Sequence, residues 1–164
     1  MAGGVGRAEP SDTPWPAVDA FLVFALRPQP STRAEWPELA QRLDALVLAR
    51  WACPAADHPE GGDLAPRAQD EELRPVLAAR FPEFGYYRTV EPVFGDGDDP
   101  REPASLGDAI DDLIDMTKEL QHAMWYREHR GAAVGAALLA WSFDMHWGWH
   151  ARGLQLYLHS MMRT

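Results

Sequence analysis

The chain has 164 residues, which is enough for one domain of ordinary size. Hydrophobic residues make up 46% and charged residues 24%, values that exclude wholesale disorder and a membrane bundle. With 15 Lys and Arg against 25 Asp and Glu, the net charge of -10 disfavours a broad contact with nucleic acid.

The ends of the chain and its cysteine content indicate where the domain lies and which compartment suits it. Residues 1–14 are predicted to form a flexible tail, and residues 15–164 a single helical domain. Cys53 is the only cysteine, so an intramolecular disulfide is impossible and a reducing, cytoplasmic setting fits best. The most apolar stretch near the amino terminus, Ala17 to Leu26, is about ten residues long and too short to span a bilayer. We therefore expect no membrane contact.

Two apolar helices are predicted in the first third of the chain. The first runs from Pro16 to Arg27 and ends at the prolines that follow, because proline supplies no backbone donor to a helix. The second begins after Ser31 or Thr32 as its cap and continues to Ala52, with apolar residues every three or four positions. A short Pro-rich turn between two such helices predicts an antiparallel pair.

An irregular loop, a third helix and a long connection follow. Cys53 to Arg67 is rich in Pro and Gly, a composition that breaks periodic structure, and a helix is predicted from Asp70 to Arg80. The aromatic stretch from Phe81 to Phe94 is interrupted by Pro and Gly, and one short strand there would lack a partner. We therefore predict a connection without a sheet, followed by an acidic turn from Gly95 to Pro103.

The carboxy-terminal third predicts two longer helices. Ser105 followed by Asp108 resembles a capping box at the start of a helix that reaches about Arg127. The last helix, Ala132 to about Met162, is apolar on nearly every side, as is typical of a helix at the centre of a bundle. The sequence thus predicts an all-α fold, a single bundle of about five helices with two long irregular loops and a central last helix.

The sharpest chemical pattern is a pair of histidines in the last helix. His146 and His150 are four residues apart, so their side chains share one helix face. This spacing is a common half-site for zinc or another divalent transition metal. The zinc-protease pattern is not met, because Trp147 stands where the catalytic Glu would follow the first His. The favoured interpretation is that both imidazoles make hydrogen bonds inside the bundle, and a metal site is the alternative.

The preceding helix offers residues that could complete such a site. Asp112, Asp115, Glu119 and His122 follow one another at steps of three, four and three, which places them on one side. Glu119 and His122 also match the Glu-x-x-His spacing of di-iron bundles, although a second such motif is missing. Because this stripe lies far from the centre of the apolar face, we predict a solvated edge. A metal site there becomes more favourable if the stripe packs beside the two histidines.

Aromatic residues and a glycine form the rest of the motif. Helical angles group Trp141 and Trp149 with apolar residues, which predicts a core position for both. Trp147 points elsewhere and is the better candidate for an exposed or interfacial side chain. Gly148 in mid-helix costs about 1 kcal/mol relative to Ala, a cost that close approach of another backbone or a bulky ring usually offsets. We predict a tight helix crossing at this glycine.

The two carboxy-terminal motifs support a family resemblance. The runs from Asp111 to Asp115 (DDLID) and from Phe143 to His150 (FDMHWGWH) resemble the bacterial proteins grouped as domain of unknown function 5063. The resemblance is specific over about residues 105–160 and covers only the general layout elsewhere. It implies an all-helical fold and a bacterial cytoplasmic setting. Because the family has no established activity, it implies no catalytic residue.

The leading functional prediction is a non-catalytic protein-interaction or adaptor module. The sequence contains no phosphate-binding loop and no serine-hydrolase elbow, which disfavours catalysis by those routes. The expected partner is another protein or a second copy of the chain, and no cofactor is expected. The candidate interaction residues are Asp112, Asp144, Trp147 and Gly148.

The alternative prediction is a metal-binding helical bundle with hydrolytic or redox activity. Carboxylates and imidazoles are the ligand types that a divalent transition metal takes from a helical bundle. The candidate ligands are His146, His150, Asp115 and Glu119.

Overall fold

The computed structural model describes residues 14–54, 65–89 and 105–163. Within these ranges the chain forms five helices and a two-stranded sheet, which confirms the predicted all-α bundle. The predicted tail up to residue 13, the acidic turn at 95–103 and residues 55–64 of the first loop lie outside the described residues. None of the described helices is long and apolar enough to cross a membrane.

The first two helices pack against each other as a pair. Helix α1 spans Trp15–Ala25 and has proline in its first turn, where the missing N–H is tolerated. Helix α2 spans Trp36–Ala52 and follows a single 3-10 turn, Arg33–Glu35. Both helices bury apolar residues at helical spacing. These residues are Val18, Phe21, Phe24, Leu39, Leu43 and Leu46.

Helix α3 and a short sheet lead into the site. Helix α3 spans Asp70–Arg80, as predicted. Strands β1 (Tyr86–Thr89) and β2 (Ser105–Asp108) then pair antiparallel. The prediction of no sheet was wrong, because the residues just before the next helix supply the missing partner strand. The predicted capping box at Ser105 was also wrong, since Asp108 is the N-cap and its carboxylate accepts the backbone N–H of Ile110 at 2.9 Å.

Two long helical segments complete the bundle. Helix α4 spans Ala109–Arg130. The last helix then runs through three segments, which are α5 (Ala132–Ser142), a π-helical turn (Phe143–Trp147) and α6 (Gly148–Met161). It packs against both α2 and α4, and α4 also contacts α1 and α3. Helix α4 and the last helix therefore face each other along most of their lengths.

The glycines of the last helix show that the tight helix crossing predicted at Gly148 lies elsewhere. The tight crossing with another helix lies at Gly135, where a Cβ would come within 2.8 Å of the carbonyl oxygen of Ala123 in α4. A Cβ on Gly148 would instead collide with the carbonyl oxygen and meet the ring of Phe143 in its own helix. The π-helical turn brings that carbonyl close, because it widens the helix by one residue. Gly148 thus accommodates the turn rather than a helix crossing.

Candidate metal centre

The structure places the acidic stripe of α4 directly against the histidine pair of the last helix. His146 lies in the π-helical turn and His150 in the first turn of α6. The predicted solvated edge was wrong, since the Asp112 side chain is only 9% exposed. The error arose because α4 has neighbours on several sides: the last helix covers its polar stripe, and α1, α3 and the last helix all pack against α4.

Each imidazole uses its Nδ1 atom to bind a carboxylate of α4. Nδ1 of His150 donates to Oδ1 of Asp112 at 2.8 Å, and Nδ1 of His146 donates to Oε1 of Glu119 at 3.3 Å. An ionised carboxylate can only accept, so it fixes the proton on Nδ1 in both rings. In each neutral ring, Nε2 is then a free lone pair.

Both Nε2 atoms point into the same small volume. They lie 3.2 Å apart, and Nε2 of His150 is 3.5 Å from Oδ2 of Asp115. One ligand atom from each of these three residues lies within 4.8 Å of the others. We call His146, His150 and Asp115 the metal cluster. Three lone-pair acceptors therefore converge on one point, which is unfavourable unless a proton or a metal ion lies between them.

The spacing of these atoms fits a tetrahedral ion. Zinc takes imidazole nitrogen and carboxylate oxygen at roughly 2.0 to 2.2 Å, and at those bond lengths neighbouring tetrahedral ligands are separated by about 3.3 to 3.6 Å. The two separations of 3.2 and 3.5 Å within the metal cluster lie at or close to this range. The ligand atoms of His146 and Asp115 lie within 4.8 Å of each other, and binding one ion would bring this third pair to the same spacing.

The third ligand is oriented by a lysine. Nζ of Lys118 lies 3.6 Å from Oδ1 of Asp115 and donates to Oδ1 of Asp70 at 2.7 Å. The ammonium group therefore attracts one oxygen of Asp115 and leaves Oδ2 facing His150. Each member of the metal cluster thus has an oriented partner behind it, an arrangement found around protein metal ligands.

Electrostatics favour a positive charge at this point. Burial lowers the pKa of His150, but the hydrogen bond and charge of Asp112 outweigh it, with further contributions from Asp115 and Asp111. The net pKa of His150 is raised. The neighbouring carboxylates therefore favour positive charge on this imidazole, and a metal ion at the same point would meet the same electrostatic demand.

A tyrosine from the sheet completes the arrangement. The hydroxyl of Tyr87 donates to Oδ2 of Asp112 at 2.5 Å, so this carboxylate is bound on both oxygens. Burial, followed by the hydrogen bond to and the charge of Asp112, raises the pKa of Tyr87. Tyr87 and Lys118 were not predicted from the sequence. Tyr87 belongs to a strand that was not expected, and Lys118 is marked only by being the single lysine of the chain.

The other predicted residues lie apart from the metal cluster. The side chain of His122 is buried and packs edge-on against Tyr126, so Glu119 and His122 do not form a di-iron half-site. Asp144 forms an ion pair at 2.5 Å with the buried Arg50 of α2. This pair ties the last helix to α2 on a different side from the histidines.

The predictions for two tryptophans were wrong. Trp147 is 0% exposed, and its indole N–H donates to the carbonyl oxygen of Leu139 at 3.2 Å. Trp149 was expected in the core, yet it is 49% exposed. Apolar residues occur on more than one side of the last helix, and the sequence does not show which side contacts α2 and α4.

Comparisons with known proteins identified no relative of this chain. A scan against protein-family models, a search of curated proteins and a search of solved structures each gave no significant match to this chain. The resemblance to the domain of unknown function 5063 therefore stays a prediction.

Proposed function

We propose that this protein binds one divalent transition metal ion between α4 and the last helix. The ligands are Nε2 of His146, Nε2 of His150 and a carboxylate oxygen of Asp115. The observation that carries the proposal is the convergence of these three groups, whose ligand atoms lie within 4.8 Å of one another, with Nε2 of His150 at 3.2 Å from His146 and 3.5 Å from Asp115.

The roles of the other acidic residues follow from their hydrogen bonds. Glu119 lies on the Nδ1 side of His146 and Asp112 on the Nδ1 side of His150. We assign both as partners that orient the imidazoles rather than as ligands. A carboxylate behind a ligating histidine also raises the basicity of the nitrogen that binds the metal.

The ligand set also indicates the chemistry of the ion. Imidazole and carboxylate suit zinc and its neighbours among the divalent first-row metals. Three protein ligands leave a fourth position for water or a small ligand, as in catalytic rather than structural zinc sites. The His146 side chain is 46% exposed, so the site lies at the surface, where an ion can enter a folded protein.

A zinc titration of tag-free protein tests this proposal. After removal of metal with a chelator, wild type should take up about one equivalent of zinc, as expected for one site with three protein ligands. His146→Ala should weaken zinc binding by more than about 100-fold, beyond the cost of losing an outer partner. His159→Ala is the matched control, because His159 is an exposed histidine farther along the same helix. Equal affinities for wild type and His146→Ala would refute the proposal.

The interaction-module hypothesis stays a prediction. It was based in part on Trp147 as an exposed aromatic side chain, and that side chain is fully buried. The proposed metal site depends on the metal cluster alone and does not require a protein partner.

A further inference from the structure

We infer that Tyr87 is a positioning residue of the proposed metal centre, acting on His150 through Asp112, so that the two-stranded sheet and the metal stabilise each other. This inference rests on the proposed function. Tyr87 reaches the site through the carboxylate of Asp112, whose Oδ2 lies 2.5 Å from the tyrosine hydroxyl and whose Oδ1 lies 2.8 Å from Nδ1 of His150.

The ring of Tyr87 occupies a slot that two glycines leave open. Gly107 is directly opposite Tyr87 in the sheet, and a Cβ there would come within 2.5 to 2.9 Å of the Tyr87 ring. Gly153 lies in α6, and a Cβ there would collide with the Tyr87 hydroxyl. The ring also packs against Tyr157, with 5.3 Å between centroids. Strands β1 and β2 and helix α6 therefore all help to fix where the hydroxyl lies.

The hydroxyl of Tyr87 holds the carboxylate of Asp112 in place. Asp112 is a nearly buried carboxylate, and a buried charge is costly unless its oxygens accept hydrogen bonds. Tyr87 satisfies Oδ2, which keeps Oδ1 directed at Nδ1 of His150. Without the hydroxyl, the carboxylate can rotate towards other donors, and the imidazole loses the bond that aims its Nε2 at the metal.

This chain of contacts couples two parts of the protein. The sheet supplies the hydroxyl, and strand β2 leads directly into α4, which carries Asp112 and Asp115. If the docked position of Tyr87 strengthens metal binding, then metal binding must strengthen the docking of Tyr87 by the same factor. Zinc should therefore slow amide hydrogen exchange in β1, although β1 contributes no ligand.

The test compares Tyr87→Phe with Tyr86→Phe. Both changes remove one hydroxyl from β1, but Tyr86 is 71% exposed and is the matched control. Zinc affinity is measured by competition with a chromophoric chelator. Tyr87→Phe should bind zinc about tenfold more weakly, the lower end of the effect of losing an outer partner, and Tyr86→Phe should match wild type.

A second variant separates positioning from a general effect on folding. In an Asp112→Ala background, Tyr87→Phe should cause no further loss of zinc affinity, because the group through which Tyr87 acts is gone. A purely structural role would lower the metal-free melting temperature and leave the rise caused by zinc unchanged. The positioning role predicts a smaller rise with zinc in Tyr87→Phe than in Tyr86→Phe.

The outcomes of these experiments distinguish the role of Tyr87 from the proposed metal site. Failure of wild type to bind zinc would refute the proposed function. Zinc binding by wild type with equal affinities for Tyr87→Phe and Tyr86→Phe would refute the role of Tyr87 alone. A full tenfold loss in the Asp112→Ala background would show that Tyr87 acts by another route, and would also refute the inference.

Discussion

Two charged clusters of this protein contrast in what they leave unsatisfied. Arg80 in α3 is 1% exposed, and its guanidinium donates to the carbonyl oxygens of Phe24 and Gln29 and to the carboxylate of Glu35. These hydrogen bonds measure 3.3, 2.9 and 3.0 Å. One buried cation thus meets three acceptors, and the cluster is complete within the chain.

The metal cluster has the opposite arrangement. His146, His150 and Asp115 direct two imidazole nitrogens and a carboxylate oxygen at one point, where a single proton or cation has to serve all three, and both Nδ1 atoms already bind carboxylates of α4. The contrast teaches that a surplus of acceptors, rather than the presence of charged residues, indicates a site for an external cation. The Arg80 cluster should govern stability, and the metal cluster should govern binding.

The largest effect is expected from Glu35→Gln. This change leaves the buried guanidinium of Arg80 without its anionic partner and weakens the bond between the Glu35 side chain and the N–H of Thr32. We expect a loss of about 3 kcal/mol in the free energy of unfolding. The control is Glu83→Gln, which removes an exposed ion pair with Arg33 and should cost less than about 1 kcal/mol. Urea denaturation measures both, and equal losses would contradict the role given to Arg80.

The ion pair between Glu35 and Arg80 should also make the stability of the protein depend on pH. The hydrogen bond from Arg80, followed by that from the N–H of Thr32, lowers the pKa of Glu35 below its ordinary value of 4.5. A lowered folded-state pKa gives stability that is fully present above pH 4.5 and is lost as the pH falls through the folded value. The difference between wild type and Glu35→Gln should therefore shrink in urea titrations below pH 4.5. A difference that is constant down to pH 2 would contradict this assignment.

In contrast to Glu35→Gln, Asp115→Asn should weaken zinc binding and leave the free energy of unfolding almost unchanged. It removes the charge of one proposed ligand, so zinc affinity should fall by about 100-fold, more than for most outer partners. The metal-free stability should change by less than about 1 kcal/mol, because Asp115 is partly exposed and its contact with Lys118 is long, at 3.6 Å. Calorimetric titration and urea denaturation report the two quantities. A large loss of stability with unchanged zinc affinity would contradict the assignment of Asp115 as a metal ligand.

The smallest effect is expected at Gly153. A Cβ at this position would displace the hydroxyl of Tyr87 from Asp112, so Gly153→Ala should weaken zinc binding severalfold, while the overpacking cost of about 1 kcal/mol is offset by the better helix preference of Ala. Gly85→Ala is the control, because a Cβ on Gly85 would meet nothing within 4 Å. Differential scanning calorimetry with and without zinc separates the two effects. Identical behaviour of both variants would contradict the proposed slot.

The parts of the fold that depend on local periodicity were predictable. Helix α3 has the predicted bounds, and the spacing of His146 and His150 correctly indicated two imidazoles on one face. The sheet was not predictable in the same way, because its strands are far apart in sequence and each is only four residues long. Strand pairing is a non-local property that a pass along one chain does not show.

The site itself could be predicted only in part. Steps of three and four residues placed Asp112, Asp115 and Glu119 on one side of α4, but helical angles cannot show which neighbour covers that side. The π-helical turn adds a further obstacle, since angles calculated at a constant 100 degrees per residue do not allow for it. Tyr87 depends on the sheet, so no pattern within α4 or the last helix indicated it.

The most direct test is a crystal structure of the zinc-soaked protein with anomalous data collected at the zinc absorption edge. The account predicts one strong anomalous peak about 2.0 to 2.2 Å from Nε2 of both His146 and His150 and from a carboxylate oxygen of Asp115. The Nδ1 atoms should still bind Asp112 and Glu119, as they do in the present structure. A zinc-saturated crystal with no peak at this point, or with zinc bound only at other surface histidines, would contradict the central claim.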